Sequence, residues 1–132
     1  MFLFDASSVI NLVKKGVVEP FTEGATLDLA LYESLNAIWK EHRLLNKMDR
    51  DTALMFSGVI RDVFKVIKVL SIRGLEEAVL ELASEEGITV YDASYLAIAM
   101  RHGLVLVTDD KKLRDRASRH VKVLSSEEVA SV

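Results

Sequence analysis

The chain opens Phe2-Leu3-Phe4-Asp5-Ala6-Ser7-Ser8: a short apolar run ends on a carboxylate, and small hydroxylated residues follow. A run with no polar alternation suits a strand buried on both faces, as in a parallel sheet covered by helices. Asp5 then falls at a strand end, just ahead of a helix start. The same grammar recurs at Val90-Tyr91-Asp92-Ala93-Ser94 and at Val105-Leu106-Val107-Thr108-Asp109-Asp110. Strands alternating with helices argue for an α/β fold built on a parallel sheet. Ligand sites in such folds lie outside the carboxyl ends of the strands. Asp5 and the Asp109-Asp110 pair are expected there, with Asp92 as a third acid on the same edge.

Between these stretches the periodicity is helical. Ser7 to Val13 reads as a short helix, closed by Lys14-Lys15-Gly16 with a C-cap glycine. Val17 to Gly24 is a loop around Pro20 with room for one turn of helix, and Ala25 to Asp28 a short strand. From Leu29 to about Leu45, Leu31, Leu35, Ile38 and Trp39 recur at spacings of three and four, which predicts an apolar helix face. Asp51 to Lys68 reads as a long helix and Val69 to Ile72 as a brief extended link. Gly74 to Glu86 is predicted as an amphipathic helix ended by Gly87. Ile88 to Asp92 reads as extended or turn-like, Ala93 to His102 as an Ala-rich helix, and Leu104 to Val107 as the clearest strand. A helix over Lys111 to Ser118, a strand over Val121 to Leu124 and a terminal helical turn complete the chain. No repeat, low-complexity tract or linker divides it, so residues 1–132 are read as one domain.

Composition limits what such a domain can do. Half of the 132 residues are hydrophobic, enough for a real core. With 17 basic and 20 acidic residues the net charge is −3, which argues against a non-specific nucleic-acid coat but leaves room for a local basic patch. The absence of Cys excludes disulfides and thiolate metal sites. No basic stretch followed by a long apolar run opens the chain, and no apolar run approaches the roughly 18 residues of a membrane span. The expectation is a soluble, cytoplasmic protein without a membrane role.

An isolated Asp ahead of a helix is commonly an N-cap, and that reading applies to Asp5, Asp92 and Asp110 taken singly. Glu33 adds a different signal. Its helical neighbours are Leu29, Ala30, Asn36 and Ala37, so its carboxylate loses hydration if that face packs on the sheet. Buried carboxylates must be paired, protonated or coordinated to a cation. Four converging carboxylates repel one another and raise at least one pKa, a penalty that a divalent cation removes. An all-oxygen donor set favours Mg²⁺ or Mn²⁺. Such an ion lowers the pKa of bound water and orients it for attack on a phosphodiester. Thr108 and Ser7 place hydroxyls beside these acids, and Asn36 sits one turn after Glu33, within reach of its carboxylate. Lys111, Lys112, Arg114, Arg116 and Arg119 follow Asp110 and are candidates for contacting nucleic-acid phosphates, although a charge run is also an ordinary solvated helix face.

Taken together, Phe4-Asp5-Ala6-Ser7, Glu33 with Asn36, Tyr91-Asp92-Ala93-Ser94-Tyr95-Leu96-Ala97 and Val107-Thr108-Asp109-Asp110-Lys111-Lys112-Leu113 resemble the PIN-domain family. The likeness is greatest to the VapC-type toxins of prokaryotic toxin–antitoxin pairs, and it runs in order over nearly the whole chain. The resemblance implies a three-layer α/β/α sandwich with a central parallel sheet and a Mg²⁺- or Mn²⁺-dependent ribonuclease activity. It carries the catalytic and metal-binding roles onto Asp5, Glu33, Asp92 and Asp110, with Thr108 as a supporting hydroxyl. Ser7, Asn36, Lys111, Lys112 and Arg114 are the substrate-side candidates. It also implies a homodimer and an antitoxin partner. Asp109 is an additional acid whose role stays open.

Three rivals are weaker. A phosphoacceptor receiver needs an Asp ending a mid-chain strand, whereas Asp49 and Asp51 lie in a polar helix start. A phosphatase of the Asp-x-Asp type lacks its second acid in Asp5-Ala6-Ser7. A catalytically silent PIN-like module that binds RNA or protein needs the loss of an acid, and none is missing.

Overall fold

A computed structural model describes residues 1–131. Five strands form one sheet: β1 (Phe2–Phe4), β2 (Gly24–Leu27), β3 (Lys68–Leu70), β4 (Val105–Val107) and β5 (Val123–Leu124). Their order is β3-β2-β1-β4-β5, and every neighbouring pair is parallel. The helices are α1 (Ala6–Lys15), α2 (Leu29–Trp39), α3 (Arg50–Val66), α4 (Glu76–Glu86), α5 (Val90–His102), α6 (Lys111–Ala117) and α7 (Ser126–Ala130). This is the expected three-layer α/β/α sandwich.

Alternation along the strands builds the two helical layers. Leu3, Ala25, Leu27 and Leu106 point to one face and pack with Val79 of α4 and Leu96 and Ile98 of α5. Phe4 and Val107 point to the other, against Val9 and Leu12 of α1, Val63 of α3 and Val129 of α7. The Phe4 ring meets Phe21 edge-on at 4.8 Å between centroids. Its other neighbour explains Gly24: a Cβ there would stand 2.4 Å from Phe4 Cε2.

Several elements differ from the sequence reading. No strand precedes Asp92. Gly87 ends α4 in the left-handed region at φ 65°, and Thr89 caps α5 by accepting from the Asp92 amide at 3.1 Å. Only Gly87, Ile88 and Thr89 separate the two helices, so Asp92 lies in the first turn of α5. The extended link is a true edge strand, β3, and starts earlier, at Lys68, because α3 stops at Val66. Gly74 turns at φ 90° ahead of α4 and stands outside it. Helix α2 widens after Trp39 into a π-helical segment, Lys40–Leu44. Its inward residues are Ala30, Ser34 and Ile38. Leu35 and Trp39, predicted to face the core, are 41% and 49% exposed. The last strand is confined to Val123–Leu124. No helix of the described residues is long and apolar enough to cross a membrane.

Candidate active site

The strand order fixes where a site can form. From β1 the chain winds outward through β2 to β3, then returns to lay β4 on the other side of β1 and β5 beyond it. The crevice at such a switch point opens at the strands' carboxyl ends. Phe4 pairs with Val107 in the β1–β4 register. Asp5 therefore stands directly beside Thr108-Asp109-Asp110.

Asp5 is only 5% exposed and is held from three sides. Its Oδ1 accepts from the Ser7 hydroxyl at 2.8 Å and the Ser8 amide at 3.0 Å, and its Oδ2 accepts from the Thr108 hydroxyl. The Ser8 bond makes Asp5 the N-cap of α1. Capping is not its only contact, since it also takes the Ser7 and Thr108 hydroxyls; burial outweighs all these donors and pushes its carboxyl up to about 6. Thr108, wholly buried, also accepts from the Asp110 amide at 3.1 Å, so one hydroxyl ties Asp5 to the Asp110 backbone. Asp110 caps α6 through the Leu113 amide at 2.9 Å, and its side chain lies at the surface of the crevice.

Glu33 projects from α2 into the same crevice. It is half-buried, and its Oε1 accepts from the Tyr95 hydroxyl at 2.8 Å. Burial raises its carboxyl, and the nearby Asp5 charge raises it further, against the Tyr95 bond. Asp92, freed from capping by Thr89, is raised to about 6 by burial and then by the charges of Asp110 and Glu33; Lys112 opposes the rise. The four acids predicted from sequence thus share one electrostatic neighbourhood. Lys112 is the one cation among the described residues felt at Asp92.

The remaining candidates separate. Ser7 donates to Asp5 and accepts from the Asp109 amide at 2.9 Å, so its hydroxyl serves the scaffold of the site. Asn36 is exposed, and the expected bond to Glu33 is not among those of the described residues; Tyr95 supplies that donor instead. One turn past Glu33 is not the same as facing the crevice, and α2 turns that position to solvent. Lys111 and Arg114 line a depression with Asp115, Ser118 and Val123, and Arg114 pairs with Glu128 at 3.7 Å. Asp109 points away from the crevice and bonds Asn11 and Ser126. Burial raises its carboxyl, but those donors and the Lys15 charge leave it below its usual range.

Sequence reasoning missed Tyr95. Its ring is 1% exposed, and its phenol is pushed upward by burial and then by Glu33, which keeps it a protonated donor. The signal was its spacing: three residues after Asp92 on a helix, it must share that acid's face.

The acids and the Ser7, Thr108 and Tyr95 hydroxyls bonded to them offer only oxygen atoms as ligands, which in kind fits a hard divalent cation. No three His, Cys, Asp or Glu of the described residues stand close enough together to hold a metal ion. The acids therefore share a field without forming a closed coordination shell.

A parallel α/β/α sandwich with an acidic crevice at its switch point defines a class of α/β domain, and residues 3–118 match the family model of the PIN domain. The chain belongs to the PIN-domain family. It is 46% identical over 89 residues to Exonuclease VapC9 of Pyrobaculum aerophilum, a match covering 67% of this chain and 63% of that protein's length. It is 37% identical over 91 residues to Ribonuclease VapC3 of the same organism, covering 69% of each. The crystal structure of PAE2754 from Pyrobaculum aerophilum superposes with a TM-score of 0.80 at 36% identity, over 98% of this chain and 93% of that one. The DNA-bound VapBC structure from Salmonella typhimurium shares the fold, with a TM-score of 0.66 at 14% identity over 95% and 97% of the two chains.

Proposed function

We propose that this chain is a metal-dependent endoribonuclease and the toxin half of a toxin–antitoxin pair. The observation that carries the reading is the crevice itself. Asp5, Glu33 and Asp92 are each raised by burial, Glu33 and Asp92 also by other acids, and the fold nonetheless gathers them with Asp110. A fold keeps mutually repelling carboxylates together at a cost in stability, which a bound cation offsets. The family membership and the likeness to Exonuclease VapC9 and Ribonuclease VapC3 support nuclease chemistry.

Asp5, Glu33, Asp92 and Asp110 do not stand close enough to close a coordination shell and would have to draw together to hold Mg²⁺ or Mn²⁺. When bound, that ion supplies Lewis acidity toward the phosphodiester and a water of lowered pKa. Thr108 fixes Asp5 against the Asp110 backbone, and Tyr95 fixes Glu33. Lys112, beside Asp92, would meet the substrate's phosphate, while Lys111 and Arg114 lie farther around α6 for flanking nucleotides. The uncovered Tyr32, Leu35 and Trp39 on α2 support a protein partner, in our reading the antitoxin, and a second copy of the chain would complete a homodimer.

Asp5→Asn tests the chemistry. Metal-dependent RNA cleavage should fall by orders of magnitude while circular dichroism and the melting curve retain a folded protein; undiminished cleavage refutes the assignment. Circular RNA separates internal cutting from end-dependent trimming. An endonuclease linearises it, and an exonuclease leaves it intact. All four acids are retained, so the silent binding module has no residue-level support.

A further inference from the structure

Asp109 is the acid that the crevice does not use, and its surroundings are unusually complete. Its Oδ2 accepts from Asn11 Nδ2 at 2.6 Å and from the Ser126 hydroxyl at 2.5 Å, and its Oδ1 accepts from the Ser126 amide at 2.8 Å. Its own amide donates to the Ser7 hydroxyl at 2.9 Å, the hydroxyl that holds Asp5. Ser126 is 3% exposed. One side chain therefore joins α1, the turn after β4, and α7.

Its neighbours in sequence give that junction its meaning. Side chains of successive residues in extended backbone point to opposite sides. Thr108 and Asp110 serve the crevice, so the residue between them must face away, into the groove between α1 and α7. A carboxylate offers about four acceptor positions. Three are taken here by donors of α1 and α7, on the side away from the crevice, so Asp109 would have to swing away from those helices to ligate an ion held by the crevice acids. We infer that Asp109 is a positioning residue: it clamps the Thr108–Asp110 turn between α1 and α7 and makes the terminal helix part of the active-site scaffold. This rests on the nuclease reading above for its consequence, but the clamp itself is a property of the metal-free chain.

The test compares Asp109→Asn, Ser126→Ala and their double variant with the unaltered protein. In metal-free protein, amide hydrogen exchange at Asp109 and Asp110 should accelerate in both single variants. Mn²⁺ affinity, followed by electron paramagnetic resonance at a temperature where all variants are folded, should fall roughly 10- to 100-fold in Asp109→Asn, as for other groups that orient ligands. Ser126→Ala should weaken it in the same direction, and the double variant should be no worse than Asp109→Asn alone. Weak Mn²⁺ binding in Asp109→Asn with unchanged binding in Ser126→Ala would make Asp109 a ligand and overturn the clamp. Altered melting with unchanged exchange at the turn and unchanged Mn²⁺ affinity would reduce it to a stability contact and overturn it equally. If the unaltered protein binds no Mn²⁺, the nuclease reading fails, and the exchange rates still decide whether the clamp exists.

Discussion

Changing Tyr95 to Phe removes one oxygen from the middle of the acidic crevice and leaves the rest of a buried ring in place. The lost interaction is a 2.8 Å hydrogen bond to the Glu33 carboxylate. A bond to a charged group contributes about 1.5–3 kcal/mol, and the half-exposed position of Glu33 puts it at the lower end. Each ~1.4 kcal/mol is tenfold in an equilibrium constant. If Glu33 is a metal ligand, its loss of orientation should weaken Mn²⁺ binding about 10-fold, rising toward the ~100-fold extreme for outer groups of metal sites. The ring, 1% exposed, keeps its apolar contacts, so the melting temperature should move by only a few degrees. Calorimetric Mn²⁺ titration at neutral pH, beside a melting curve of the metal-free variant, measures both quantities. An affinity within twofold of the unaltered protein would refute the view that Tyr95 holds Glu33 for a cation.

Two further outcomes follow from the same structure. The Asp5 carboxyl is raised from 3.8 to about 6, so in the metal-free fold it binds a proton more tightly than in the unfolded chain. Its contribution to stability is full below pH ~4 and is lost as pH rises through about 6. About two pKa units correspond to ~3 kcal/mol, so the unaltered protein should lose up to that much relative to Asp5→Asn between about pH 3.5 and about pH 7.5 in urea unfolding. A pH-independent difference would contradict the shift. Ser34 is fully buried on α2, and its hydroxyl has no protein hydrogen-bond partner among the described residues. Ser34→Ala should therefore stabilise the protein by about 1–2 kcal/mol, read as a melting-temperature rise of roughly 3–6 °C; a lower melting temperature would show that the hydroxyl is satisfied after all.

The sequence alone settled the layer architecture, because that depends on local pattern. Phe2–Phe4 and Val105–Val107 are apolar in every position, which only a sheet covered on both faces accommodates, and the intervening helical periods supply the covers. It also picked out Asp5, Glu33, Asp92 and Asp110, since a carboxylate beside an apolar run is conspicuous wherever the chain goes. Tertiary structure decided what each polar group touches. Asp92 could look like a strand-end residue because Ile88-Thr89-Val90 is β-branched; Gly87 and the Thr89 cap leave no room for a strand there. Asn36 and Tyr95 compete in sequence for the same carboxylate, and only the packing of α5 against the sheet brings the phenol, 62 positions away, into contact with Glu33. Asp109 and Asp110 are chemically identical neighbours, separated in role by which side of one turn each faces. Patterns of burial are written locally along the chain, whereas hydrogen-bond partners are set by contacts across elements that no local spacing encodes.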